Sequence, residues 1–194
     1  MTGLVIVDVG CGNIGSVGIA LGRFGLSPRV TGDAEEIAAA DKVILPGVGA
    51  AGYAMEQIRA RGLEAPLRAL RQPVLGICLG MQLLFEASEE EDTACLGVIP
   101  GRVRRLEAAL GRPVPHMGWS RLDVRDESLG LRSGDYVYFA HSFACDSGPE
   151  TVASADYGRE IPAVVRKDKW TGAQFHPERS GEAGARFLRS WLER

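Results

Sequence analysis

The sequence contains no hydrophobic run long enough to cross a bilayer. Its longest apolar stretch, Val74 to Phe85, includes two glycines and a glutamine, whereas a membrane-spanning helix needs about 20 apolar residues. The first ten residues, MTGLVIVDVG, have no basic segment and no small-residue cleavage signature. They predict a first β-strand rather than a signal peptide. We therefore expect a cytoplasmic protein without membrane contact.

Cysteine is scarce and its spacing is irregular. The chain has four cysteines and no CxxC pair, a pattern that argues against a disulfide framework or a zinc site. We expect no metal and no cofactor. The cysteines are Cys11, Cys78, Cys95 and Cys145.

An excess of positive charge is also missing. The chain carries 22 Lys and Arg against 25 Asp and Glu, so its net charge gives no reason to bind nucleic acid. The fractions of hydrophobic and charged residues are ordinary for a globular protein. The length of 194 residues, without internal repeats or a long linker, predicts a single domain over residues 1–194.

The first part of the chain alternates strand-like and helix-like segments. This βαβ order predicts an α/β fold with a mostly parallel central sheet flanked by helices. The expected strands are Leu4–Val9, Arg29–Thr31, Lys42–Leu45 and Val74–Cys78. The expected helices are Ile14–Phe24, Ala34–Ala40, Tyr53–Arg61, Glu64–Arg71 and Leu79–Glu86.

After Ser88 the pattern changes to short extended segments separated by glycine, proline and charge. We expect these segments to add antiparallel strands in the C-terminal half, followed by a helix over Glu182–Leu192 that packs on the sheet. The expected strands are Leu96–Ile99, Arg102–Leu106, Tyr136–Ala140, Val152–Ala155, Ala163–Arg166 and Trp170–Phe175.

A glycine motif, GxGxxG, spans Gly10–Gly15 between the first strand and the first helix, and Asp33 follows 18 residues later. One interpretation is a nucleotide-cofactor site, with a pyrophosphate at the helix N-terminus and the acid on a ribose hydroxyl. The other is a tight turn that needs glycine, with Asp33 as an ordinary helix cap. We favour the second interpretation because such short glycine motifs recur by chance.

Cys78 follows an apolar strand and opens a helix, with Gly76 and Gly80 on either side. This arrangement resembles a nucleophile elbow, in which small neighbours permit a sharp turn that exposes the nucleophile. A helix N-terminus also favours the thiolate. The competing interpretation is a buried core cysteine, a common location for this residue type.

His176 and Glu178 follow a predicted strand and are spaced so that the carboxylate can orient the imidazole. A cysteine nucleophile needs such a base, and the base needs an orienting group. The loop Pro46–Gly49, together with the Leu79 amide, has the glycine content to form an oxyanion hole. Separately, each of these segments is also compatible with an ordinary strand end or loop.

Together, Pro46–Gly49, the Gly-Ile-Cys-Leu-Gly segment around Cys78 and the Phe-His-Pro-Glu segment around His176 resemble the class I glutamine amidotransferases. A narrower resemblance, to the glutaminase subunits of imidazole glycerol phosphate synthases, rests above all on Val114–Trp119, with Asp8–Asn13, Tyr138–Phe143 and the HPERS segment in support. The resemblance covers nearly the whole chain.

The resemblance implies that the chain releases ammonia from glutamine and passes it to a (β/α)8-barrel cyclase subunit in a heterodimer for histidine biosynthesis. It implies a catalytic triad of Cys78, His176 and Glu178. The implied oxyanion and substrate-binding residues are Gly47, Val48, Gly49, Leu79, Gln82, Glu90, Ser142 and Phe143. The implied contacts with the cyclase are Asn13, Trp119 and Arg179.

Three positions depart from the family pattern. Val9 stands where an aromatic residue is common, Ser120 replaces an asparagine, and Arg179 replaces a lysine. These departures bear on partner contacts rather than on the triad. The alternatives are the glutaminase of another amidotransferase, a non-catalytic regulatory subunit with a vestigial triad and, from a different class, a nucleotide-cofactor-binding domain built on Gly10–Gly15.

Overall fold

The computed structural model describes residues 3–10 and 12–194. Cys11, the second position of the glycine motif, therefore lies outside the described residues. The strands are β1 (Leu4–Val7), β2 (Arg29–Thr31), β3 (Lys42–Gly47), β4 (Val74–Cys78), β5 (Ala87–Ser88), β6 (Thr93–Ala94), β7 (Arg102–Arg105), β8 (His116–Val124), β9 (Tyr136–His141), β10 (Phe143–Cys145), β11 (Thr151–Asp156), β12 (Glu160–Lys167) and β13 (Trp170–Ala173). The α-helices are α1 (Ile14–Gly22), α2 (Ala34–Ala39), α3 (Ala51–Ala60), α4 (Glu64–Arg68), α5 (Leu79–Gln82) and α6 (Gly181–Leu192). Short 3₁₀ turns cover Glu90–Asp92, Glu127–Leu129 and Pro177–Arg179.

A nine-stranded sheet runs through the molecule in the order β2-β1-β3-β4-β13-β12-β11-β8-β9. The five strands from β2 to β13 are parallel. The remaining neighbours, from β13 to β9, pair antiparallel. A smaller four-stranded sheet has the order β10-β7-β5-β6. The predicted fold class, a mostly parallel sheet with added antiparallel strands, is confirmed.

Both faces of the inner parallel strands β1, β3 and β4 are buried, whereas the edge strand β2 is largely exposed. Val43 and Leu45 of β3 pack on one face with residues of α2, α3 and α4. Ile44, between them, packs on the other face with residues of α1 and α6. Burial on both faces explains why these strands are continuous apolar runs rather than alternating sequences.

The structure differs locally from the predicted elements. Leu96–Ile99 is not a strand: the amides of Leu96 and Val98 instead donate to the carbonyls of Leu83 and Leu84, just beyond α5. The helix predicted over Leu79–Glu86 ends at Gln82 because the chain then tightens into turns. The nine-residue strand β8 was not predicted. Only His116 and Leu122 of this strand are buried, and Gly118 lies in its interior.

Within the described residues, the structure has no helix that is both long and apolar enough to span a membrane.

Candidate active site

Cys78 lies at a sharp turn between β4 and α5. Its backbone has φ 54° and ψ −113°, a positive-φ conformation that is costly for a residue with a side chain. Close packing around the turn excludes other side chains. A Cβ on Gly80 would lie 1.9 Å from the Leu45 oxygen, and one on Gly76 would lie 2.5 Å from the Gly80 oxygen. Glycine is therefore required at both positions for the backbone to make this turn, as in a nucleophile elbow.

His176 follows β13, the parallel neighbour of β4. The register pairs Ala173 with Ile77, so His176 and Cys78 emerge at the same edge of the sheet. His176 Nδ1 lies 2.9 Å from Glu178 Oε1. The Glu178 side chain is only 2% exposed, and its Oε2 receives no hydrogen bond from the described part of the chain. The carboxylate thus acts mainly on the imidazole.

Ser180 holds the loop that carries the imidazole. Its hydroxyl donates to the His176 oxygen at 2.7 Å and accepts from the Tyr138 amide at 2.9 Å. The His176 amide in turn donates to the Tyr138 oxygen at 2.9 Å. These three hydrogen bonds fix the loop to β9.

Two opposing effects set the charge of His176. Burial disfavours the imidazolium, but hydrogen bonds and charge interactions with Cys78 and Glu178 outweigh burial and raise the pKa of His176 to about 10. The ring is therefore suited to stay protonated at neutral pH. A protonated imidazole beside the cysteine is the arrangement expected of a Cys-His pair that performs nucleophilic attack.

The Cys78 thiol opens into a cleft of about 390 Å³. The thiol also lies 3.9 Å from both the Ala140 oxygen and Gln174 Nε2. The cleft brings together most of the residues predicted for the site, namely Asn13, Val48, Gly49, Cys78, Leu79, Gln82, Glu90, Ser142, Phe143, His176 and Arg179. Pro115, Met117, Ala140 and His141 also line it and were not predicted.

Three predicted residues do not line the cleft. Glu178 lies behind His176. Gly47 pairs with Cys78 beneath the elbow, where a Cβ would lie 2.7 Å from the Gly80 amide nitrogen. Trp119 is 55% exposed on β8. Gly47 thus contributes close packing, and Trp119 contributes to the outer surface.

Gln82 and Glu90 have defined partners in the wall of the cleft. Gln82 Nε2 donates to the Phe143 oxygen at 2.8 Å and to Gln174 Oε1 at 3.0 Å. Glu90 Oε2 accepts from the Ala51 amide at 2.8 Å, which caps α3. Burial raises the pKa of the Glu90 carboxyl. Gln82 Oε1 and Glu90 Oε1 are the oxygens that these bonds leave for a ligand.

Two of the three residues predicted to contact a partner, Asn13 and Arg179, line the cleft, and Trp119 lies outside it on β8. Asn13 caps α1 through its Oδ1, which accepts from the Ser16 amide at 3.3 Å. The Arg179 guanidinium lies over the Tyr138 ring at 4.7 Å, and Trp119 packs edge-on against the same ring at 6.0 Å. Arg179 and Trp119 therefore pack against the same side chain, Tyr138.

Two residues of the possible cofactor site, Gly10 and Asp33, have partners within the protein. A Cβ on Gly10 would lie 2.6 Å from Arg61 Nη2, and Arg61 Nη1 donates to the Asp8 oxygen at 3.1 Å. Asp33 Oδ1 accepts from the Glu35 and Glu36 amides, each at 2.9 Å. This carboxylate is a helix cap, which supports the structural interpretation over the cofactor one. In the described part of the chain, no group of three or more His, Cys, Asp or Glu is arranged to hold a metal ion.

Sequence reasoning missed Gln174, Ser180 and His141 as parts of the site. Gln174 is fully buried two residues before His176, and a polar residue in an otherwise apolar strand was the available signal. Ser180 and His141 act through backbone partners that only the fold brings to them. Their roles could not be found without the strand register.

Comparisons with known proteins agree with this geometry. Residues 5–193 match the family model for the class-I glutamine amidotransferases. The chain is 52% identical to the imidazole glycerol phosphate synthase subunit HisH of Xanthomonas campestris pv. campestris, over 100% of this chain and 98% of that protein. It is 50% identical to the subunit of the same name from Idiomarina loihiensis, over 98% of this chain and 97% of that protein.

Solved structures give the same result at the level of the fold. A crystal structure of a glutamine amidotransferase superposes with a TM-score of 0.77 and 25% identity, covering 98% of both chains. The structure of PurLQS from Thermotoga maritima superposes with a TM-score of 0.70 and 20% identity, covering 100% of this chain and 99% of that one. The second similarity shows the fold alone.

Proposed function

The chain belongs to the class-I glutamine amidotransferase family, and from that premise we propose that it is the glutaminase subunit of an imidazole glycerol phosphate synthase. The observation that carries the proposal is the placement of Cys78 and His176 at the ends of adjacent parallel strands, with Glu178 on the imidazole. The full-length similarity to the HisH subunits selects this branch of the family. We infer that the reaction belongs to histidine biosynthesis.

In the proposed reaction the Cys78 thiolate attacks the side-chain amide carbon of glutamine. The oxygen becomes an oxyanion and accepts from the Leu79 amide, which has no partner within α5 because it is the first helical residue. The His176 imidazolium gives its proton to the nitrogen as the carbon–nitrogen bond breaks. Ammonia leaves, and a glutamyl thioester remains.

Hydrolysis of the thioester uses the same residues. His176, now neutral, takes a proton from water as the water oxygen attacks the thioester carbon. The carbon–sulfur bond breaks, glutamate leaves, and Cys78 returns to the thiolate beside the imidazolium. Glu178 orients the ring and stabilises its positive charge in both steps.

Glutamine binding is assigned to Gln82, Glu90, Ser142 and Phe143. Glu90 Oε1 is suited to accept from the substrate ammonium, since Oε2 is occupied by the Ala51 amide. Gln82 Oε1 offers a second acceptor. Ser142 and Phe143 also line the cleft, and the Phe143 oxygen accepts from Gln82 Nε2.

The partner is proposed to be a (β/α)8-barrel cyclase subunit that receives the ammonia. It would form imidazole glycerol phosphate and an aminoimidazole carboxamide ribonucleotide. Asn13, Trp119 and Arg179 are proposed contacts, supported by their position at or beside the cleft mouth and by the exposed Met117 next to Trp119. The proposal includes a cytoplasmic heterodimer in which residues 1–194 form one domain.

The test is a glutaminase assay of the full chain, first alone and then titrated with the cyclase and its nucleotide ligand. Glutamate release should appear and be stimulated by the partner. Cys78→Ser should abolish glutamine-dependent synthesis and leave ammonia-dependent cyclisation by the complex unchanged. Substantial glutaminase activity in Cys78→Ser would refute the nucleophile assignment.

We further propose that the Val48–Gly49 peptide rotates to add a second oxyanion donor when the partner binds. Gly49 has φ 99°, and no atom of the described residues lies within 4 Å of a Cβ built on it. It gives the sharper test, because Gly47→Ala would crowd the elbow directly. Gly49→Ala should reduce the partner-stimulated rate by up to about 10²-fold, the order of one lost oxyanion donor. Complex formation, measured by calorimetry, should be unchanged. A stimulated rate equal to wild type would exclude rotation at Gly49.

A further inference from the structure

A chain of hydrogen bonds runs from strand β8 to the wall of the cleft, and the proposed mechanism does not use it. The Ser120 hydroxyl lies 2.9 Å from His116 Nε2, and His116 Nδ1 lies 3.1 Å from His141 Nε2. His141 Nδ1 then lies 2.8 Å from the Phe143 oxygen. Both histidines are buried.

In this chain of hydrogen bonds, every bond donates in the same direction, from Ser120 towards Phe143. The Phe143 carbonyl can only accept, so His141 Nδ1 carries the proton. Burial is the main cause that lowers the pKa of His141 to about 3 and that of His116 to about 4, so both rings are neutral at pH 7. His141 Nε2 must therefore accept from His116 Nδ1, and His116 Nε2 must accept from the Ser120 hydroxyl.

The bond between Ser120 and His116 depends on a bend in β8. Residues four apart in a regular strand are separated by about 13 Å, which is too far for these two side chains to meet. Gly118, halfway between them, has φ 139°, a value that favours glycine. The bend brings the serine hydroxyl within reach of the imidazole.

The His116 ring is held in place by stacking. It lies between the Phe139 ring at 4.8 Å and the Tyr157 ring at 3.9 Å, with interplanar angles of 20° and 21°. The stacked ring therefore keeps its orientation, and only the nitrogen that carries the proton can vary. A hydrogen-bond donor at Nε2 places the proton on Nδ1.

The chain of hydrogen bonds ends at the Phe143 oxygen in the cleft wall, where it meets a second hydrogen bond. The Phe143 oxygen accepts from His141 and also from Gln82 Nε2 at 2.8 Å. His141, Phe143 and Gln82 all line the cleft. The orientation of this carbonyl therefore affects the side chain and the backbone that are proposed to hold glutamine.

We propose that Ser120 is a positioning residue for glutamine: it fixes the tautomers of His116 and His141 and, through them, the Phe143 carbonyl on which Gln82 is held. The consequence for glutamine rests on the proposed function, whereas the hydrogen-bond chain itself does not. Loss of the serine hydroxyl should weaken substrate binding more than the chemical steps.

The first measurement is ¹⁵N nuclear magnetic resonance of histidine-labelled full chain. Wild type should show both His116 and His141 as neutral Nδ1–H tautomers at pH 7. Ser120→Ala should change the His116 resonances and shift those of His141, and Ser120→Thr should restore them. An Nε2–H tautomer at either residue in wild type, or an unchanged spectrum in Ser120→Ala, would overturn the proposal.

The second measurement is glutamine kinetics in the complex with the cyclase. Ser120→Ala should raise KM for glutamine about 2- to 10-fold, the effect of one lost hydrogen bond, with kcat within about twofold of wild type. Ser120→Thr should restore KM, and Ser147→Ala, at an exposed serine, is the matched control.

An unchanged KM in Ser120→Ala, or an equal fall in kcat, would overturn the positioning role. Absence of glutaminase activity in wild type would instead refute the proposed function, while the tautomer measurement still decides whether the chain of hydrogen bonds exists.

Discussion

The two halves of the sheet hold their contributions to the site in different ways. The parallel half, of which β1, β3 and β4 are buried on both faces, ends at the proposed nucleophile Cys78. Steric crowding fixes this residue, since a side chain at Gly76 or Gly80 would overlap the backbone. The antiparallel half exposes large side chains on β8, and its strand β9 holds the base through hydrogen bonds with Ser180 and the His176 backbone.

The parallel half is therefore rigid, whereas the loop held by the antiparallel half can adjust. A backbone held by van der Waals contact has one available conformation, because any shift creates overlap. A loop held by a few hydrogen bonds can alter its geometry when neighbouring strands move. We therefore expect substitutions in the parallel half, other than at Cys78 itself, to act mainly on stability, and substitutions in the antiparallel half and the loop it holds to act mainly on rate.

Of the substitutions that test this comparison, His176→Ala should have the largest effect, because it removes the proposed base that the antiparallel half holds. The glutaminase rate in the complex should fall by about 10²–10⁴-fold, the usual contribution of a general acid–base. Ammonia-dependent synthesis is the control. A wild-type rate would exclude a catalytic role for His176.

Glu178→Gln should have the next effect, with a smaller loss of rate than His176→Ala because a hydrogen bond to the ring remains. Since Cys78 and Glu178 together raise the pKa of His176 from 6.5 to about 10, loss of the carboxylate should lower that pKa. Nuclear magnetic resonance of the His176 ring across about pH 5 to 11 measures it. An unchanged titration midpoint would contradict the ion pair.

The same titration predicts how stability depends on pH. A folded-state pKa above the unfolded value means that the ion pair favours the folded protein fully below about pH 6.5, and that this contribution is lost as pH rises through about 10. The difference in free energy of unfolding between wild type and His176→Ala should shrink over that range.

Gly80→Ala tests the parallel half. Its Cβ would lie 1.9 Å from the Leu45 oxygen, so the elbow must move, and the free energy of unfolding should fall by about 3 kcal/mol, as for severe overpacking. Urea unfolding measures this loss. Gly15→Ala, at a helical glycine with open space around it, is the control and should not destabilise the chain. Wild-type stability for Gly80→Ala would show that the elbow is not sterically fixed.

Ser180→Ala should give the smallest effect and sharpens the comparison. The change leaves the Tyr138 amide and the His176 carbonyl without their serine partner. The loss should cost about 1–2 kcal/mol of stability. It should also lower kcat by a factor that corresponds to the loss of one hydrogen bond. A loss of stability without any change in kcat would mean that Ser180 braces the fold and not the base.

The two halves also differed in how well the sequence predicted them. The strand Val74–Cys78 was predicted with its observed bounds because burial on both faces leaves a continuous apolar run with clear ends. Strand β8 carries Ser120, Arg121 and Asp123 on a half-exposed surface, so its composition resembles a loop. Only pairing with its neighbours β9 and β11 makes it a strand.

The candidate site followed a similar division. Cys78 and His176 were predicted because local motifs mark them, and the resemblance to a family connected them. Gln174 and His141 act through distant backbone and side-chain partners, and Gly47 proved to be a packing residue rather than part of the cleft wall. Such roles depend on strand register, which no local pattern contains.

The position of β13 between β4 and β12 has a consequence for how the protein is made on the ribosome. The thiol of Cys78 is synthesised early, but the strand that delivers its imidazole emerges near the end of translation. Non-local pairing of this kind forms late in folding. Under the proposed mechanism, a nascent or truncated chain carries the thiol without its base, and the glutaminase reaction waits until the C-terminal segment has folded into the centre of the sheet.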